Sequence, residues 1–165
     1  MKENTCFIVG HRKLKQAQIE MLSKRVKHEI EVLLEKGVTT FISGGAMGFD
    51  AIVASHIILL KKDGIDIKLI FALPCPSHGR FWDDKSKVLF EGLLNEADEV
   101  LYTSEAFSKD CIAKRDKYMV DNSSYCLCVL IQKAGGTGRT VQSAYDKKLS
   151  VINIGHPLYK PSAKK

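Results

Sequence analysis

No stretch of the sequence approaches the roughly 20 consecutive apolar residues that a membrane-crossing helix needs, which argues against a bilayer-spanning segment. Met1 to Asn4 leads directly into a short strand pattern rather than the apolar core of a secretion signal, so a cytoplasmic location is expected. The five cysteines, Cys6, Cys75, Cys111, Cys126 and Cys128, are odd in number and lack metal-ligand spacing. Reduced thiols are therefore expected, with neither a disulfide framework nor a metal site, and no cofactor is implied. Internal repeats, low-complexity tracts and linkers rich in proline or glycine are also missing, so nothing divides the chain.

What is present suits one domain spanning 1–165, with a short basic tail from about 158. A chain of 165 residues can bury a sizeable core, and 45% hydrophobic with 27% charged residues is the balance of an ordinary globular protein. The net charge of +6 fits either a nucleic acid or a small anion. Three of the lysines crowd the tail, at 160, 164 and 165, and others punctuate helix faces, so charge alone does not choose.

Strand and helix patterns alternate throughout. Thr5 to Val9 is an apolar strand, and Ile19, Leu22, Val26, Ile30 and Leu33 recur at helical spacing over about 15–36, ended by Gly37. Further strands are predicted at 39–43, 68–73, 99–103, 125–131 and 151–154. Helices are predicted at about 50–62, from Trp82 to about 96, at 110–122 and at 140–148. Continuous Val/Ile/Leu/Phe strands separated by helices imply a parallel sheet covered on both faces, a three-layer, doubly wound α/β fold.

In such sheets ligands bind outside the carboxyl ends of the strands, where helix amides point outward. The loops 10–13, 44–50, 74–82, 103–109 and 134–140 are therefore expected to converge on one pocket. Gly44, Gly45 and Gly48 sit where a strand meets a helix, so the backbone can approach a phosphate or ribose, or simply turn tightly. The loop matches neither the P-loop nor the dinucleotide fingerprint. Gly135, Gly136 and Gly138, with the hydroxyls of Thr137 and Thr140, form a second glycine loop opening a helix, and Arg139 beside them is either a phosphate clamp or a solvated side chain.

These residues resemble the SLOG superfamily, most closely its YpsA-like branch, over nearly the whole chain. The resemblance rests on Gly10-His11-Arg12, Ser43-Gly44-Gly45-Ala46-Met47-Gly48-Phe49-Asp50, Leu73-Pro74 with Trp82, Arg115 with Met119-Val120-Asp121, and Gly135-Gly136-Thr137 followed by Thr140-Val141. It implies a Rossmann-like domain, a nucleotide-type ligand, and Arg115 as a phosphate contact rather than a surface ion pair. The related lonely-guy phosphoribohydrolases carry a catalytic glutamate in Pro-Gly-Gly-x-Gly-Thr-x-x-Glu. That position falls on Gln142, and the proline on Ala134. An amide cannot exchange a proton as a carboxylate does, so binding without that hydrolase chemistry is expected, and Gln142→Glu is expected to create weak hydrolysis. The branch also tends to have asparagine where this chain has Asp116.

The remaining candidates have two readings each. Asp50 caps its helix or holds a ribose hydroxyl, His11 and Arg12 meet a ligand or local carbonyls, and Trp82 stacks on a base or packs. Two further functions compete with nucleotide binding: an N-glycosidic or phosphoribosyl enzyme using Asp50 or Asp121, and single-stranded DNA binding, as in the related DNA-processing protein A. The second is disfavoured, because no run of interleaved aromatic and basic residues stands out. A protein-interaction role is a fourth reading that the residues do not test. The resemblance also implies pairing through helices that flank the site. Light scattering at micromolar concentration is expected to give a dimer mass, and a purely monomeric mass would contradict it.

Overall fold

The computed structural model describes residues 2–131 and 135–164. After a 3₁₀ turn at Lys2–Asn4, the chain runs β1 Thr5–Val9, α1 Gln16–Glu35, β2 Thr40–Ser43, α2 Phe49–Lys62, β3 Lys68–Leu73, α3 Asp84–Asn95, β4 Glu99–Tyr102, α4 Cys111–Asp121, β5 Tyr125–Cys128, α5 Gly136–Asp146 and β6 Ser150–Asn153. All six strands are parallel, in the order β4-β3-β2-β1-β5-β6. The chain builds outward from β1 to β4, then crosses back through α4 to place β5 on the other side of β1. Strand order therefore reverses between β1 and β5, and a crevice opens there.

The alternation of side chains along each strand explains the three layers. Ile8, Phe41, Leu69, Phe71 and Leu127 point to one face and pack with Leu22, Val26, Ile30 and Leu33 of α1, Val53 and Ile57 of α2, and Phe90 and Leu93 of α3. Phe7, Ile42, Ala72, Cys126 and Cys128 point to the other and meet Met119 and Val120 of α4 with Val141 and Ala144 of α5. All five cysteines are free and buried, Cys6, Cys126 and Cys128 within this sheet. The fold is thus a three-layer, Rossmann-like α/β sheet. Burial on both faces is lost at the β4 edge of the sheet, where Val100 and Tyr102 are exposed.

Three local differences from the sequence pattern have physical causes. β5 stops at Cys128 rather than 131, because Leu130 bonds the side chain of Asn153 instead of a strand neighbour. α5 starts at Gly136, so Gly136 and Gly138 lie within its first turn instead of before it. The basic carboxyl-terminal residues, most of them exposed, are docked on α1. Arg25 donates to the Ile154 carbonyl at 2.6 Å and stacks over Tyr159, His28 Nε2 donates to the Ser162 carbonyl at 2.7 Å, and Lys164 pairs with Glu31.

The anchor of this segment is Glu29, which is fully buried on α1. Its Oε2 accepts from the Tyr159 hydroxyl and from the Ser162 amide at 3.0 Å. A buried carboxylate deprived of a donor is costly. Tyr159→Phe is therefore expected to lower stability by about 1–3 kcal/mol in urea unfolding. An unchanged unfolding midpoint would contradict this anchoring.

Candidate functional site

Sequence forces the ends of β1 and β2 into close backbone contact. Gly10 has no side chain because a Cβ there would lie 2.5 Å from the Phe49 ring. Gly48 has φ +78°, and a Cβ would sit 2.6 Å from the His11 carbonyl oxygen, which also accepts from the Phe49 amide at 3.2 Å. Only glycine meets both demands at 48 without strain.

Asp50 organises the β2 loop from within. It is buried at the second turn-forming position of α2, and its side chain makes no helix cap. Its Oδ2 accepts from Ser43 Oγ at 3.3 Å and from the Ala46 amide at 3.2 Å, while Ser43 Oγ accepts from the Gly45 amide at 3.1 Å. Among the described residues its Oδ1 has no hydrogen-bond partner. Burial pushes the Asp50 carboxyl up to about 7, and the Arg115 guanidinium opposes that rise without cancelling it. The group is thus poised between acid and carboxylate near neutral pH.

Arg115 reaches across from α4. Its Nη1 donates to the Gly44 carbonyl, and its Nε donates to Asp116 Oδ1 at 2.7 Å. A Cβ on Gly44 would lie 2.6 Å from Nη1, so the glycine makes room for the guanidinium. Asp116 Oδ2 in turn accepts from Thr140 Oγ1 at 3.0 Å, which ties α4 to α5. Arg115 is buried, so the surface ion pair is replaced by a guanidinium fixed in the wall of a crevice.

That crevice, of about 300 Å³, lies at the reversal of strand order. Gly10, His11, Arg12, Gly44, Asp50, Arg115, Gly136, Thr137 and Thr140 line it, joined by Ala46, Ile112, Asp116 and Met119. Ser43, Gly45 and Gly48 shape the β2 loop from behind it. Gly138 is buried in α5, and Gly135, with φ +94°, precedes that helix without lining the crevice. Ala134 lies outside the described residues. His11 Nε2 accepts from the Ile131 amide at 3.1 Å, so it serves the local backbone.

The five loops share one edge but do not form a single pocket. Pro74 and Trp82 line a second cavity of about 420 Å³, with Phe81, Phe107 and Cys111, and the two cavities share Arg12 and Ile112. Trp82 is half-buried, with His78 and Phe90 edge-on to it, both at 5.1 Å between ring centroids. His78 Nε2 donates to the Gly45 carbonyl at 3.0 Å and fastens the β3 loop to the β2 loop. Burial holds His78 below the ordinary histidine range, the Gly45 bond resists, and nearby Arg115 and Arg12 lower it further.

Of the proposed acid–base positions, Asp50 lines the crevice and the other two fall elsewhere. Gln142 is exposed on α5 and donates to Asp146 Oδ1 at 2.9 Å, outside the crevice lining, so a glutamate there would not meet a ligand in it. Gln142→Glu is accordingly expected to remain inert. Asp121 pairs with Lys117 at the surface and lies outside the crevice. Among the described residues, no group of three His, Cys, Asp or Glu side chains could hold a metal ion.

The sequence profile of the YspA SLOG family matches residues 6–151. The chain is 29% identical over 142 residues to the uncharacterized SPbeta prophage-derived protein YoqJ of Bacillus subtilis, covering 79% of this chain and 80% of that one. Its fold is similar to DNA processing protein A from Streptococcus pneumoniae, with a TM-score of 0.67 at 17% identity. That match covers 97% of this chain but 53% of the pneumococcal one, so the chain spans about half the length of that protein. DNA processing protein A from Helicobacter pylori, whose structure was described for its single-stranded DNA binding mode, matches with a TM-score of 0.63 at 17% identity over 97% of this chain and 69% of that one.

The raised Asp50 carboxyl makes a linkage prediction. A carboxyl whose folded value lies above its unfolded value stabilises the fold fully at low pH and loses that contribution as pH rises toward about 7. The stability difference between wild type and Asp50→Asn should therefore shift against the wild type from about pH 4 to pH 7, by about 1.4 kcal/mol per pH unit at most. Parallel urea titrations measure it, and a difference that does not vary with pH would contradict a buried, protonatable Asp50.

Proposed function

The chain belongs to the YspA SLOG family, and from that premise we propose that it binds a nucleotide or nucleotide-derived phosphate ligand in the crevice between β1 and β5. The observation that carries this reading is the pairing of a buried guanidinium with an unpartnered buried carboxylate oxygen in one cavity, beside the first turn of α5. Arg115 offers charge to a phosphate, and the opening amides of α5 have no partners within their helix and so suit its oxygens. Asp50 Oδ1 suits a ribose hydroxyl.

The reading is of binding or sensing in a cytoplasmic homodimer built from this one domain, without lonely-guy-type hydrolysis. The placement of Gln142 outside the crevice supports that restriction. An N-glycosidic enzyme with Asp50 as the proton-exchanging group is the alternative, since that carboxyl changes charge near neutral pH. Single-stranded DNA binding regains weight from exposed Phe81 and Phe107 beside Arg12 and Arg80, an arrangement suited to base stacking along a basic groove, and from the H. pylori neighbour.

Gly136 supplies the cleanest test. Among the described residues a Cβ there would meet nothing nearer than Arg139 Nη2 at 3.9 Å, so Gly136→Val fills crevice space without disturbing the core. Calorimetry with nucleoside monophosphates should show a loss of about 1.5–3 kcal/mol for Gly136→Val and for Arg115→Ala. Gly136→Val should keep the wild-type unfolding midpoint. Undiminished affinity in Gly136→Val, or abundant base release by the wild type, would contradict binding without hydrolysis at this site.

A further inference from the structure

The second cavity differs in chemistry from the crevice it adjoins. Its mouth carries large apolar side chains left in water: Phe81 is 86% exposed, Phe107 74% and Ile112 43%. Removing a phenylalanine ring from water is favourable, and here two stand exposed around one concavity. The Arg80 guanidinium lies 4.4 Å from the Phe81 ring centroid, covering one face of a ring whose remaining surface is open. Trp82 is engaged with His78 and Phe90 in the cavity wall, so it is a fixed surface rather than a mobile stacking partner.

Two features join this cavity to the crevice. Arg12 and Ile112 line both. The His78–Gly45 hydrogen bond fixes the loop that forms the aromatic cavity to the loop that carries Gly44 and Asp50. An exposed cation therefore stands at the junction of a polar chamber of about 300 Å³ and an apolar one of about 420 Å³. Each volume is within the size of a small-molecule site, and a ligand with a charged end and a planar aromatic end matches the division.

We infer that the apolar cavity is a base subsite: a single nucleotide lies across both chambers, its phosphate and ribose at Arg115 and Asp50 and its aromatic base against Phe81 and Phe107. This rests on the phosphate-binding reading of the crevice and adds what that reading leaves open. The aromatic end supplies selection for a nucleotide over a simple sugar phosphate, through stacking that tolerates different bases. Arg12 lies along the ribose between the two ends.

Trp82, the sole tryptophan, reports occupancy of the base subsite directly. The intact chain is titrated with adenosine 5′-monophosphate, ribose 5-phosphate and an oligothymidylate, by calorimetry and by Trp82 emission. The monophosphate should bind about tenfold more tightly than ribose 5-phosphate and should alone change the emission, since stacking a base is worth about that factor or more. Phe81→Ala and Phe107→Ala, both at exposed side chains, should each cut the ratio of the two affinities about fivefold or more. Equal affinities, or a ratio unmoved by both variants, would overturn the base subsite and leave phosphate binding standing. No binding of either small molecule would overturn both readings together. Oligothymidylate binding about a hundredfold tighter than the monophosphate, with steep salt dependence, would overturn it in favour of a strand-binding groove.

Discussion

The buried guanidinium of Arg115 on the carbonyl of Gly44 is the contact around which the functional edge is arranged. It joins α4, on one side of the sheet, to the loop that opens α2 on the other, across the gap left by the reversal of strand order. A buried charge survives only with partners, and each partner recruits another element. Asp116 receives Nε and engages Thr140 of α5, while Asp50 lies close enough for the guanidinium to oppose its neutralisation. The missing Cβ of Gly44 permits the contact, so a glycine that reads as phosphate clearance first of all provides arginine clearance.

The same network explains why the crevice stays open. Three polar side chains of its lining are held from behind: Asp50 by Ser43 and Ala46, His11 by Ile131, Thr137 by the Gly10 carbonyl at 3.4 Å. Preformed sites with a few convergent polar groups are the usual ligand sites of α/β sheets. The unpartnered Asp50 oxygen is the exception to that satisfaction, and buried polar atoms without partners call for a functional account.

Much of this was legible in the sequence because strand and helix periodicities differ and apolar runs such as Phe7-Ile8 alternate between two buried faces. The binding edge followed from the parallel order of the elements. Side-chain direction did not. Nothing in a linear pattern shows that Gln142 points along α5 toward Asp146, that Trp82 is locked between His78 and Phe90, or that Gly135 lies outside the lining. Phe107 is an isolated aromatic in a loop and carries no pattern, whereas Arg80-Phe81-Trp82 sets a basic residue beside two aromatics, a signal too short to read as a stacking groove. The docking of 154–164 on α1 was hidden because Glu29, on the buried face of α1, reads as one more charged helix residue.

Ligand binding centres on one location, the junction of Arg115, Asp50 and the first turn of α5. A crystal structure of the intact chain soaked with adenosine 5′-monophosphate tests it most directly. Phosphate density within hydrogen-bonding reach of Arg115 and the α5 amides, with a ribose hydroxyl on Asp50 Oδ1, is the predicted result. Density in the surface groove between α4 and α5 that Lys117, Arg139 and Lys147 line, with the crevice between β1 and β5 empty, would contradict it.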